Sequence, residues 1–172
     1  MIYLLLTSQF ITAGVFAMSA YGKVREQSGF ARSLADFQVP PRLRVPVAAM
    51  VTAAEIAVVP LALVPATAVA GLALGAVLLS GFAAVIGLTL RRGTRPRCRC
   101  FGAVAAPLQG AHIVRNVVLA AIATAGGGVA STYQAVAPPI GSFVVTGVLA
   151  AVVLAAVANF DDLVEVVAPR AG

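Results

Sequence analysis

The chain has 172 residues, 60% of them hydrophobic and 10% charged, with a mean hydropathy of +0.99. Soluble domains carry about 25% charged and roughly 45–50% apolar residues, so a single soluble domain is excluded and a bilayer must solvate the outward faces. The net charge of +6 and pI near 10.4 do not describe a nucleic-acid binder, because most arginines fall in two connecting segments and the chain has no Trp to stack on bases. That charge pattern instead marks membrane topology and a contact with anionic lipid.

Met1 to Ala20 is apolar and lacks an early Lys or Arg. A secretory signal has a positive start and a shorter apolar core, so this stretch is read as a retained first span. A spanning helix needs about 20 mostly apolar residues. Five segments qualify: 2–21, 45–64, 66–90, 111–130 and 140–159. Pro46 and Pro60 lie near the ends of the second, and Pro138-Pro139 open the fifth. The apolar stretches are continuous and do not alternate as barrel strands do. In hydrocarbon each backbone amide must be paired within its own segment, so such stretches become helices. The expected fold is one all-α integral membrane domain over residues 1–172. Gly71 and Gly75 form a small-xxx-small pair in the third span, which chance accounts for best in a chain with 16 glycines.

Lys23, Arg25, Arg32, Arg42 and Arg44 lie in the first connection, and Arg91, Arg92, Arg95, Arg97 and Arg99 in the third. The second and fourth carry no Lys or Arg. The positive-inside rule then predicts an inner-membrane protein with its amino terminus outside and the two basic connections in the cytoplasm. Lys23 and the first-connection arginines read as topology determinants. Pro40-Pro41 favours extended backbone and sets how the chain re-enters the membrane. Asp161, Asp162 and Glu165 near the carboxyl terminus add little to the rule.

The only cysteines are Cys98 and Cys100, within Arg97-Cys98-Arg99-Cys100-Phe101-Gly102. A disulfide between them closes a small ring against tight geometric limits, and strained disulfides are the oxidising, labile ones. The flanking Arg97 and Arg99 favour thiolate over thiol. The local chemistry therefore favours a redox-active pair. Two alternatives stand beside it: unreactive cysteines in a surface connection, and half of a metal site. Zinc takes about four ligands, and His112 is the one further strong candidate, so no metal is expected.

Glu55 lies near the middle of the second span, where an acid costs about 2.5–3.5 kcal/mol on insertion scales. Such a residue faces the bundle interior and has a partner. His112, Arg115 and Asn116 open the fourth span at spacings of three and four, which puts them on one helical face. Arg115 is the expected partner of Glu55. The alternative has Arg115 snorkelling to the interface and Glu55 protonated against a hydroxyl.

These features together resemble the methylamine-utilisation protein MauE family, within a broader DoxX-like group of small membrane proteins. The resemblance runs through Ser19-Ala20-Tyr21-Gly22-Lys23, then Phe30, Leu34, Phe37 and Pro40. It continues through Glu55, Cys98-x-Cys100-Phe101-Gly102 and Arg115-Asn116. It implies a four-helix core similar to DoxX and vitamin K epoxide reductase bundles, and a role in maturation or disulfide handling of a partner protein. The supporting set would be Arg97, Arg99, Phe101, Gly102, Glu55, His112, Arg115 and Asn116. The chain lacks the Cys-x-x-Cys of the reductase and any second cysteine pair, so a thioredoxin-like or substrate thiol protein would have to exchange with it. No cofactor is evident, and a quinone is a candidate electron acceptor. The rival expectation is a non-enzymatic assembly subunit or small transporter built around Glu55. Whether the chain is itself an enzyme stays open at this point.

Overall fold

A computed structural model describes residues 1–93, the backbone of 97–98 and 106–107, and residues 110–132 and 139–160. Six α-helices follow in order: α1 (Ile2–Arg25), α2 (Gln27–Ser33), α3 (Pro41–Leu63), α4 (Ala68–Arg91), α5 (Gly110–Thr132) and α6 (Ile140–Ala158). All but α2 are long and apolar enough to cross a membrane. The protein is therefore an all-α bundle. Its outward faces carry large apolar side chains such as Val77, Val117, Val144 and Val152, as lipid solvation requires. A minimal antiparallel pairing joins β1 (Arg97–Cys98) to β2 (Ala106–Pro107).

α1 is the central helix and packs against α3, α4, α5 and α6. Its Ile11, Val15 and Phe16 form one core with Val58 of α3, Leu79 of α4, Leu119 of α5 and Ala150 of α6. Small residues set the closest approaches. A Cβ on Gly71 would strike the backbone of Leu61 and Ala62, and one on Gly75 would meet Thr12 and Phe16. Chance therefore does not explain this glycine pair: without side chains there, α4 can lie against both α3 and α1.

The second span begins earlier than its hydropathy suggests. Pro40 is extended (φ −54°, ψ 142°) and Pro41 is the first helical residue of α3, where a missing N–H costs nothing. α2 was not anticipated. It follows a kink at Glu26 (φ −127°) and folds back on α3, where Phe30, Ala31, Leu34 and Ala48 make a second, smaller core flanked by Phe37 and Val39. The turn after α2 is a Schellman motif: the Val39 N–H donates to the Leu34 carbonyl at 3.1 Å and the Gln38 N–H to that of Ala35 at 3.0 Å. Gln38 takes the left-handed conformation (φ 61°) where glycine is usual. Its side-chain oxygen accepts from Arg92 at 3.0 Å, tying the turn to the end of α4.

Gly75, Val58 and Phe16 share one level of the bundle. At about 1.5 Å per residue, Arg42 on α3 and Arg91 on α4 both fall roughly 24 Å from it, in the same direction. That end, where α1 closes with Arg25 and where the Cys98–Cys100 connection leaves α4 and enters α5, is the basic end of the molecule.

Candidate functional site

The residues that the sequence scatters over α1, α2, α3 and α4 meet around one ammonium. Lys23 lies near the end of α1, yet it is 2% exposed, and Glu55 is 0% exposed. Lys23 Nζ donates to Glu55 Oε1 at 2.7 Å and Oε2 at 2.8 Å, and to Ser19 Oγ at 2.6 Å. Ser19 Oγ donates in turn to Glu55 Oε1 at 3.1 Å. An ammonium has three donors, and all three are used. The ring of Phe30 lies 5.1 Å from Nζ and that of Phe82 lies 5.7 Å away, so π-faces complete the cage.

Local geometry explains why Lys23 turns inward instead of snorkelling to the surface. Helical side chains lean toward the helix N-terminus. α1 and α3 run antiparallel, so the leaning brings Lys23 deeper into the bundle and Glu55 toward the basic end, and the two heads meet. Ser19 stands one turn before Lys23 on the same face. α2 then holds Phe30 over the pair. The motif residues Phe30, Leu34 and Phe37 thus anchor a short helix that covers the ion pair.

Two expectations are corrected here. Lys23 is not a surface topology determinant; it is the buried counter-ion of Glu55. Arg115 is not the partner of Glu55, because α3 packs against α1, α2 and α4 while α5 packs against α1 and α4. Arg115 instead places its guanidinium 5.3 Å from the ring of Phe160, just past the end of α6. His112 lies 6.0 Å from the same ring. His112, Arg115 and Asn116 do share a face of α5, with His112 and Asn116 buried. Among the described residues Asn116 Oδ1 has no hydrogen-bond partner.

Sequence reasoning missed Phe82 altogether and misassigned Lys23. One signal was available: Lys23 is the only lysine in the chain, against eleven arginines. A compact ammonium can address two carboxylate oxygens and a hydroxyl at once, whereas a guanidinium is a planar fork.

Cys100, Arg99, Phe101 and Gly102 lie outside the described residues, as do the side chains of Arg97 and Cys98. Among the described residues no cluster of three His, Cys, Asp or Glu could hold a metal.

The comparisons with known proteins bear on this set. No curated protein and no solved structure matches the chain. The family model described as methylamine utilisation protein MauE matches residues 1–130. That range holds α1 to α4, nearly all of α5, the Lys23–Glu55 cage and the cysteine-bearing connection, and it stops short of α6. The chain belongs to the MauE family of membrane proteins.

Proposed function

We propose that this protein is a membrane thiol-redox or maturation factor that exchanges disulfides with a partner protein through Cys98 and Cys100. The observation that carries the reading is the antiparallel pairing of Arg97–Cys98 with Ala106–Pro107. It pairs Arg97 and Cys98 with a second short segment of the connection between α4 and α5, two helices that pack on each other. Support also comes from Arg97 and Arg99, which favour the thiolate that exchange requires.

The exchange balances without any further group. A partner thiolate attacks one sulfur of the Cys98–Cys100 disulfide, the S–S bond breaks, and the leaving sulfur departs as a thiolate beside the arginines. The partner's second thiolate then attacks the mixed disulfide and releases the chain. The partner ends oxidised, and its two thiol protons end on Cys98 and Cys100. A second, disulfide-bearing protein resets the pair by the same steps in reverse. A quinone does not fit the cage as an alternative acceptor, because all three Lys23 donors are taken by Glu55 and Ser19. No step is routed through one.

The charge pattern supports a cytoplasmic basic end in the inner membrane, and on that reading the partner thiol protein would be cytoplasmic. The rival reading, transport around Glu55, needs a polar path to the cage. The buried hydroxyls of Ser8, Thr52, Thr89 and Thr146 instead donate to carbonyls of their own helices. Among the described residues Ser19 is the hydroxyl that donates to Glu55.

Membrane-impermeant thiol labelling of intact cells, before and after reduction, tests both face and redox state. The expected result is a pair blocked before reduction and reached only from the cytoplasmic face after it. Cys98→Ala and Cys100→Ala variants should each trap a mixed disulfide with a partner. If replacing both cysteines leaves the native pathway intact while Glu55→Gln abolishes it, the thiol reading is wrong and transport or assembly takes its place.

A further inference from the structure

The cage and the cysteines leave unexplained a set of guanidiniums at the basic end. Among the described residues the exposed side-chain charges lie there: Arg25, Arg32, Arg42, Arg91 and Arg92, with Arg44 half-buried, against Glu26 and Asp36. The opposite end, at the turn between α3 and α4, the end of α5 and the start of α6, carries no charged side chain among the described residues, only the amino group of Met1. Several of these arginines are held in place. Arg25 donates to Tyr21 Oη at 3.1 Å and lies 5.4 Å from its ring. Arg92 is fixed to Gln38 at 3.0 Å.

Their neighbours are apolar and outward. Tyr21 is 63% exposed, and Val24, Leu43 and Val45 are exposed beside Arg25 and Arg42. A water-soluble acidic partner would leave those side chains without a counterpart. A phospholipid matches both, since its phosphate meets a guanidinium while its acyl chain lies against the valines and leucine. Arg25 closes α1 and Arg42 lies in the first turn of α3, both at the basic end of the bundle.

We infer that the basic end binds anionic phospholipid headgroups, with Arg25 and Arg42 contacting phosphate and Val24, Leu43 and Val45 lying against the acyl chains. The inference does not depend on the cysteines. A Tyr or Arg near a membrane interface is a common anchor, but here the arginine is oriented before the lipid arrives, which lowers the ordering cost of binding. Each arginine near an anionic surface contributes about fivefold to partitioning.

The test is full-length protein in nanodiscs of phosphatidylcholine alone or mixed with phosphatidylglycerol, with the retained lipids identified by native mass spectrometry. Wild type should retain phosphatidylglycerol over phosphatidylcholine. An Arg25→Gln/Arg42→Gln variant should lose that preference by about 25-fold, and an Arg25→Lys/Arg42→Lys variant should keep most of it. Equal retention of the two lipids by wild type would overturn the inference, as would a preference untouched by the glutamine variant. Displacement of phosphatidylglycerol by millimolar inorganic phosphate, or by a soluble acidic peptide, would also overturn it. Those results would mean that the end reads charge in solution and not a lipid.

Discussion

Two polar clusters in this bundle differ in how many helices build them. The Lys23–Glu55–Ser19 cage joins α1 to α3, uses every ammonium donor and is walled by two aromatic rings. The α5 cluster of His112, Arg115 and Asn116 gathers on one helix and meets Phe160 by ring contacts. Its Asn116 Oδ1 finds no hydrogen-bond donor among the described residues. The cage is a structure of complementary charges from different helices. The α5 cluster is a helical face. Shared spacing on one helix brings residues to one face, whereas a charge partner such as Lys23 for Glu55 comes from a neighbouring helix.

The largest expected effect probes the cage. Removing one partner of a buried ion pair leaves an uncompensated charge and costs about 3–5 kcal/mol. Lys23→Met and Glu55→Leu should therefore each lower the thermal unfolding midpoint in detergent or nanodiscs sharply. The double variant should recover most of the loss, since an apolar pair of similar volume is often neutral in such a site. Singles no worse than the double would mean that the two residues are not coupled, and the contrast between the clusters would collapse. Next comes Ser19→Ala. It removes the hydroxyl that accepts from Lys23 and donates to Glu55; hydrogen bonds to charged groups are worth about 1.5–3 kcal/mol each, but the two charges stay paired, so the midpoint should shift by less than on either single charge removal. Lys23→Arg sharpens the point about shape. The planar fork does not suit a tetrahedral cage, and overpacking there should cost about 1–3 kcal/mol although charge is kept. The smallest effect falls on the other cluster. Asn116→Leu replaces a buried acceptor that has no partner and should be near neutral or stabilising by the same unfolding measurement. A loss comparable to that of Lys23→Met would show that Asn116 has a partner that completes the α5 cluster.

Glu55 shows how far sequence reading reaches into such a site. An acid in mid-span demands a buried counter-ion, and that demand was legible. The identity of the counter-ion was not. Arg115 looked suitable because it opens a span on a polar face, while Lys23 looked like one more cation in a basic connection. Nothing local separates the two, because the choice rests on which helix stands beside α3. α2 is a similar case. Phe30, Leu34 and Phe37 belong to the stretch that carries the resemblance to the family, but seven residues cannot form a stable helix alone. α2 exists because it packs on Ala48 and its neighbours.

The amino-acid sequence by itself determined that this protein is a bundle of membrane helices, how many long apolar helices it has, and that its arginines gather at connections. Hydrocarbon offers no hydrogen bonds, so apolar length alone fixes helical backbone. Only the tertiary structure decided that Lys23 of α1 answers Glu55 of α3, that Gly71 and Gly75 admit neighbouring helices, and that Phe30 and Phe82 enclose the ammonium. Those pairings depend on which helices become neighbours and on the lean of their side chains, and neither is written in the spacing along any single helix.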